Sequence, residues 1–405
     1  MSKIKVVDAC MGRGKTSAAA AYMSSCKGSK RFLYITPFLD EVDRICSMCD
    51  FTQPGSDRNT KLTELKALMH QKKNVVSTHA LFYLLDDEAL ELIRENKYCI
   101  IIDESIDTVR RETITAKDFE MMQNNLISVG SDGKVDWLDD SYEGKFSDYK
   151  MMAKSGSLYV RDNALLSVMN PEFIDSFSEV IMMTYMFDGQ YQKAYLDYFG
   201  FDYQMCGIMV DDSDDENIKF FFTEEPDSPP AKDYRSLISI VDDPRLNSIG
   251  DEYFSLSKSW FDRRGKDCGD IKKLRSNLNT FFRRRCEARV KDVLWTCFKG
   301  HYEKLIPKDG RFRSGFVSLT SRATNRYKDR TTVAYIANRF IDPNVLKFFA
   351  DKGIEIDCDH FALSEMLQFI WRSAIRDGKP ITVYIPSKRM RELFINWIDE
   401  RSIGG

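Results

Sequence analysis

Short, wholly apolar runs separated by longer segments of helical period dominate the first half of the chain. Residues 4–7, 32–35, 74–77, 99–102 and 180–184 read as strands, because a strand covered on both faces shows no polar alternation. Between them, 60–70 and 80–96 read as helices. This alternation predicts an α/β architecture built on a mainly parallel sheet. Asp103 and Thr184 lie 81 positions apart, long for one crossover, so an insertion is expected at about 110–165. Within it, residues 126–137 read as a hairpin turning on Asp132-Gly133. A second series of strands is expected at 218–222, 293–298, 315–320, 332–337 and 381–385, with a helical, basic segment at about 245–290. The pattern divides the chain into a first domain, 1–205, and a second, 206–405.

Composition adds three constraints. The longest apolar runs, such as Tyr98-Cys99-Ile100-Ile101-Ile102, fall far short of the roughly 20 residues that span a bilayer. No membrane partner is expected, and the immediate entry into a strand leaves no room for a signal peptide, which points to the cytoplasm. The ten cysteines form no framework: Cys46 and Cys49 lack a matching second pair, and Cys358 with His360 is no better. They read as reduced thiols. Net charge is only −3, but residues 201–230 hold nine acids against one lysine, and residues 261–339 hold twenty-one Lys and Arg against eight acids. A basic block of that size suggests a polyanionic partner.

The chemistry is concentrated in four places. Met11-Gly12-Arg13-Gly14-Lys15-Thr16-Ser17 follows the first strand and opens a helix. Glycines let backbone N–H groups curl around phosphate oxygens, Lys15 can reach the β- and γ-phosphates, and Thr16 can hold Mg²⁺. Asp103-Glu104 ends an apolar strand; Asp103 suits the same Mg²⁺, and Glu104 suits a base for the attacking water. Thr36, Thr78 and His79 stand at strand ends just before helices, placed either to touch nucleic-acid phosphates or to cap helices. Gln368, Arg372 and Arg376 step by four, so a helix would align them on one face able to cover a triphosphate.

In this order the motifs resemble those of superfamily 2 helicases, especially small helicase-like ATPases of tailed bacteriophages. Ala9–Thr16 is similar to motif I, Thr36-Pro37 to Ia, Ser77-Thr78-His79 to Ib and Asp103-Glu104 to II. Thr184 lies at motif III, Thr320–Tyr327 at V, and Gln368, Arg372 and Arg376 at VI. The departures are Trp371 for the usual motif VI glycine, a last arginine one place late, and Ala323 for a motif V glycine. Arg372 is therefore the better-aligned arginine finger.

The resemblance implies two RecA-like P-loop domains with ATP and Mg²⁺ between them. It implies Lys15, Glu104, Gln368, Arg372 and Arg376 as the catalytic set, and Arg322 and Asn325 as nucleic-acid contacts beside Thr36, Thr78 and His79. The expected activity is a nucleic-acid-dependent ATPase that translocates on, and unwinds or remodels, DNA ahead of RNA, in the host cytoplasm alongside phage replication or recombination proteins. Two rivals stand beside it: a viral DNA-packaging type of motor, and a nucleic-acid-binding protein that uses ATP only as a switch.

Overall fold

A computed structural model describes residues 3–55, 60–214, 218–228, 232–307, 309–319 and 325–403. The chain divides into two units. One holds the residues up to Asp8, Lys15–Asp227 and Ile341–Asp357; the other holds Ala9–Gly14, Ser228–Phe340 and the chain from Cys358 on.

The strands of the first unit are β1 (Ile4–Asp8), β2 (Arg31–Thr36), β3 (Val75–Thr78), β4 (Tyr98–Asp103), β5 (Val109–Arg111), β6 (Ile127–Val129), β7 (Val135–Trp137), β8 (Leu158–Arg161), β9 (Ala164–Val168), β10 (Glu179–Thr184), β11 (Tyr203–Asp211) and β12 (Lys219–Thr223). Seven of them make one sheet in the order β12-β11-β1-β10-β4-β2-β3. Every pairing in it is parallel except β11 with β12. All six residues of β4 are buried, as a strand with both faces covered requires. The five strands read from apolar runs are all present here. The run at 218–222 is also a strand, but it belongs to this sheet, with Ile208 opposite Phe222. Of the acidic run, Asp212 and Asp214 follow β11 and are exposed, where solvated charge is tolerated; 215–217 lie outside the described residues.

The insertion is a small module with its own core, including Phe119, Met122, Phe146, Leu158 and Leu165. The hairpin is present as β6–β7, with Val129 opposite Val135 and Gly133 at φ +83° in its turn, where glycine has no steric penalty. β5, β9 and β8 form an antiparallel sheet beside it. A helix from late in the chain, Pro343–Ala350, also packs in this unit. Its Phe348 stacks on Tyr198 at 4.5 Å and meets Tyr159 edge-on at 5.3 Å, and Lys347 pairs with Asp162 at 2.5 Å.

The second unit carries β13 (Ile238–Ile240), β14 (Val293–Thr296), β15 (Thr332–Tyr335) and β16 (Ile381–Tyr384), ordered β13-β16-β15-β14 and parallel throughout. The expected basic helical layer is formed by Lys258–Asp262, Gly269–Thr280 and a π-turn at Phe281–Arg285. That turn buries Phe281 and Phe282 and leaves Arg283, Arg284 and Arg285 outside. Several of these charges are locally paired: Arg264 with Asp270 at 2.8 Å, Arg289 with Asp292 at 2.9 Å, and Arg285 with Asp243. The strand expected at 315–320 does not form over its described residues. Phe316 makes one bridge to Trp295, and a 3₁₀ turn occupies Arg313–Gly315, where Gly315 lies so close to the Val293 carbonyl that a Cβ there would stand 2.7 Å from its oxygen. Among the described residues, no helix is long and apolar enough to cross a membrane.

Candidate active site

The buried strand β1 ends at Asp8, and the chain turns through Gly12 at φ +77° and Gly14 at φ +90° before the helix Lys15–Ser25 begins. The Arg13 N–H donates to the Cys10 carbonyl at 3.3 Å and tightens the turn. A Cβ added at Gly12 would meet nothing within 4 Å, so backbone conformation, not space, demands glycine there. Left-handed residues alternating with ordinary ones curl successive N–H groups inward into an anion-binding concavity.

β10 lies between β1 and β4, placing Thr184 opposite Asp8 and Met183 opposite both Val7 and Asp103. The ends of β1 and β4 therefore stand two strands apart, about 9–10 Å by ordinary strand spacing. Asp103 is buried, and the Thr36 hydroxyl donates to its Oδ2 at 3.5 Å. Burial pushes the Asp103 carboxyl up to about 7; the charges of Glu104 and Glu41 push the same way, and Lys15 opposes them. Tyr34 is fully buried beside Asp103 and Thr16. Its hydroxyl lacks hydrogen-bond geometry to any described residue. Glu104 holds the left-handed conformation, φ +65°, and its N–H donates to the Met183 carbonyl at 3.0 Å. A non-glycine residue in that region is strained, and such strain gathers at functional sites. Asp8 ties in the loop after β10. Its Oδ2 accepts from the Phe187 N–H at 3.1 Å, next to Met186 at φ +58°, and burial raises its carboxyl.

The structure thus gathers Lys15, Thr16, Asp103 and Glu104, from distant parts of the sequence, at the carboxyl end of one sheet, where open parallel sheets bind ligands. Sequence reasoning overlooked Tyr34, Glu41 and Asp8. Period-2 alternation puts Tyr34 on the same face as Thr36, and Glu41 opens the helix that follows.

Other expected residues fall differently. Thr36 and His79 are buried and turned inward, His79 through Nε2 to the Asp103 carbonyl oxygen at 2.9 Å; neither faces solvent as a phosphate contact would. Neither Thr36 nor Thr78 caps a helix through its side chain. Thr184 is buried and bonded to Gln190 at 2.9 Å. The single helical face through Gln368, Arg372 and Arg376 does not form. The helix Cys358–Ile370 ends before Arg372, and Arg376 lies in a 3₁₀ turn, Ala374–Asp377. The Ser373 hydroxyl bonds the Ile370 carbonyl at 2.6 Å, and the Ala374 N–H goes to Arg330 instead of continuing the helix. Arg372 is buried, 5.6 Å from the Phe369 ring centre, whereas Arg376 is exposed, the reverse of the expected order of access. Arg322 lies outside the described residues, as does 320–324 of the motif V stretch; Asn325 opens a short 3₁₀ turn.

Comparison with known proteins assigns the chain. It is 34% identical over 418 residues to the SPbeta prophage-derived uncharacterized protein YonV of Bacillus subtilis (strain 168), covering 99% of this chain and 100% of that one. The chain belongs to the YonV family. Family models match the YonV middle domain at residues 109–169 and the YonV C-terminal Rossmann-like domain at 232–398. The first match falls on the inserted module and the second on the smaller parallel sheet. Among solved structures, Xpd4 of S. tokodaii is 13% identical at a TM-score of 0.45, covering 97% of this chain and 94% of that one. Mycobacterium smegmatis helicase Lhr bound to ssDNA and AMP-PNP is 12% identical at 0.36, covering 96% and 46%. The Pyrococcus furiosus Hef helicase domain is 8% identical at 0.34, covering 98% and 95%.

Proposed function

We propose that this protein is a Mg²⁺-dependent nucleoside triphosphatase driven by nucleic acid, of the superfamily 2 helicase kind. The observation that carries the reading is the convergence of Lys15 and Thr16 on Asp103, beside a Glu104 held at φ +65°. The residues suit a cation: among the described residues the buried Asp103 carboxyl has no ion-pair partner, and the Thr16 hydroxyl adds a neutral oxygen at the start of the helix. Thr16 and Asp103 would hold Mg²⁺, whose charge would counter that of the β- and γ-phosphates. Lys15 binds the terminal phosphates, and the loop N–H groups hold the others. Glu104, fixed by its own backbone hydrogen bond, orients the attacking water and accepts its proton. Of the two expected arginines, Arg376 is the exposed one and is the candidate for stabilising transferred charge. The polymer is proposed as DNA, and the basic excess of 261–339 supports a polyanion. Kinship with a prophage-derived protein supports a phage origin.

The test is a steady-state ATPase assay with Mg²⁺, alone and with single-stranded, duplex and forked DNA and RNA, with Lys15→Ala as the background. Turnover above that background that rises with a polymer is expected. Wild-type turnover equal to that of Lys15→Ala would remove the reading.

A further inference from the structure

Beyond the carboxyl end of β15 in the second unit, one buried asparagine organises a loop. The Asn338 Nδ2 donates to the carbonyl oxygens of Tyr253 at 2.7 Å and Ser255 at 3.1 Å, and its backbone N–H donates to Leu256 at 2.9 Å. Its Oδ1 accepts from Arg389 Nη1 at 2.9 Å. Arg389 is itself buried and held by Asp359, Nη2 to Oδ1 at 2.6 Å. Leu256 is fully buried yet left-handed, φ +62°, a conformation that persists only where surrounding bonds impose it.

This fixed loop presents two large rings to water. Tyr253 is 57% exposed and Phe254 is 63% exposed. The rings meet edge-to-face at 4.9 Å and 89°, and each lies against Phe340, at 5.6 and 5.5 Å. From inside, the Arg389 guanidinium stands 4.6 Å from the Phe340 ring centre and 5.7 Å from that of Tyr253. Two adjacent aromatics held this far into solvent gain nothing for the core, and a contiguous exposed apolar patch marks a contact surface.

We infer that Tyr253, Phe254 and Phe340 form a stacking platform for an unpaired nucleobase of a single-stranded nucleic acid. The inference rests on the reading of this protein as a nucleic-acid-driven ATPase and adds a contact that none of its motifs names. Every base offers a flat π-face, so stacking on a rigid aromatic ledge gives grip without sequence preference. The ledge belongs to the unit that carries the basic excess of 261–339, while the residues just before the rings, Asp251 and Glu252, are exposed acids; a nucleic acid would therefore be held here through the base face and not through its phosphates. It also lies beyond the carboxyl end of a parallel strand, where such sheets bind ligands.

The experiment measures fluorescence anisotropy of two labelled probes of about 20 nucleotides, oligo-dT and an abasic strand of equal length, so that only the bases differ. Wild type is expected to bind oligo-dT about tenfold tighter than the abasic strand. The double variant Tyr253→Ala/Phe254→Ala is expected to lose that preference, binding both probes at the abasic level with the salt dependence unchanged. Phe254→Trp is expected to keep it. Melting temperatures of the variants serve as the fold control, because both side chains are mostly outside the core. A double variant that melts like wild type and retains the preference overturns the inference while the ATPase reading stands. A wild type that self-associates through these rings, becoming monomeric in the double variant with no change in base preference, also overturns it. A wild type that binds neither probe overturns it together with the reading beneath it.

Discussion

Asp103→Asn is expected to stabilise the protein in the absence of divalent cation. The carboxyl is buried, lacks an ion-pair partner among the described residues, and titrates at about 7 against 3.8 for the free group, because burial and the neighbouring Glu104 and Glu41 disfavour its charge. A folded-state value above the unfolded one means that the folded chain holds the proton more tightly. Stability is therefore full below the unfolded value and is lost as pH rises towards the folded one. About three units at ~1.36 kcal/mol each set a ceiling of ~4 kcal/mol on that loss. Relaxation around the buried charge brings the expected change to about 2–3 kcal/mol, or roughly 5–10 °C in melting temperature. The assay is thermal unfolding in EDTA across about pH 5 to 8, wild type against Asp103→Asn. Wild type should melt progressively lower as pH rises, and the variant should be flatter and higher at the alkaline end. Mg²⁺ with ATP should restore wild type and leave the variant unmoved. Parallel wild-type and variant curves, or a variant less stable at the alkaline end, would refute the reasoning that the site stores an uncompensated charge.

Glu104→Gln removes the like charge beside Asp103 and should raise the melting point slightly, and Glu104→Gly should add about 1 kcal/mol more by relieving the left-handed strain at φ +65°; both should bind ATP and fail to turn it over, measured by nucleotide titration beside the ATPase assay. Gly250→Ala should cost about 3 kcal/mol or more, since its Cβ would stand 2.1 Å from the Pro386 carbonyl oxygen; an unshifted urea midpoint would show that this backbone approach is not a constraint. Arg372→Ala should lower the melting temperature because the side chain is buried, whereas Arg376→Ala should leave it unchanged and reduce turnover by orders of magnitude. A fully active Arg376→Ala would remove that residue from the reaction.

Much of the first sheet was legible because its strands are uninterrupted apolar runs. A stretch such as Tyr98–Asp103, buried at every residue, has few alternatives. The glycine loop was legible because left-handed backbone at Gly12 and Gly14 requires glycine and leaves that mark on the sequence. β11 is not legible because it is only partly buried and runs directly into acidic sequence, and the pairing of Ile208 with Phe222 depends on which hairpin closes. The face through Gln368, Arg372 and Arg376 failed for a local reason. Spacing by four aligns side chains only while the helix lasts, and at Ile370 a serine hydroxyl takes the carbonyl that the next turn would have used.

The one-dimensional chain was sufficient for what covalent chemistry and strong local periodicity set: the uninterrupted apolar strands of the first sheet, the glycines where the backbone turns left-handed, and which side chains can meet phosphate or metal. It could not say which of these side chains face one another, since that depends on strand order. Only the packed sheet, with β10 seated between β1 and β4, brings Thr16, Tyr34 and Asp103 together. Only packing turns Thr36 and His79 inward, and only the Asn338 network holds Tyr253 and Phe254 out in water. Burial and long-range hydrogen bonding are properties of the whole fold, and they decide what each residue is free to touch.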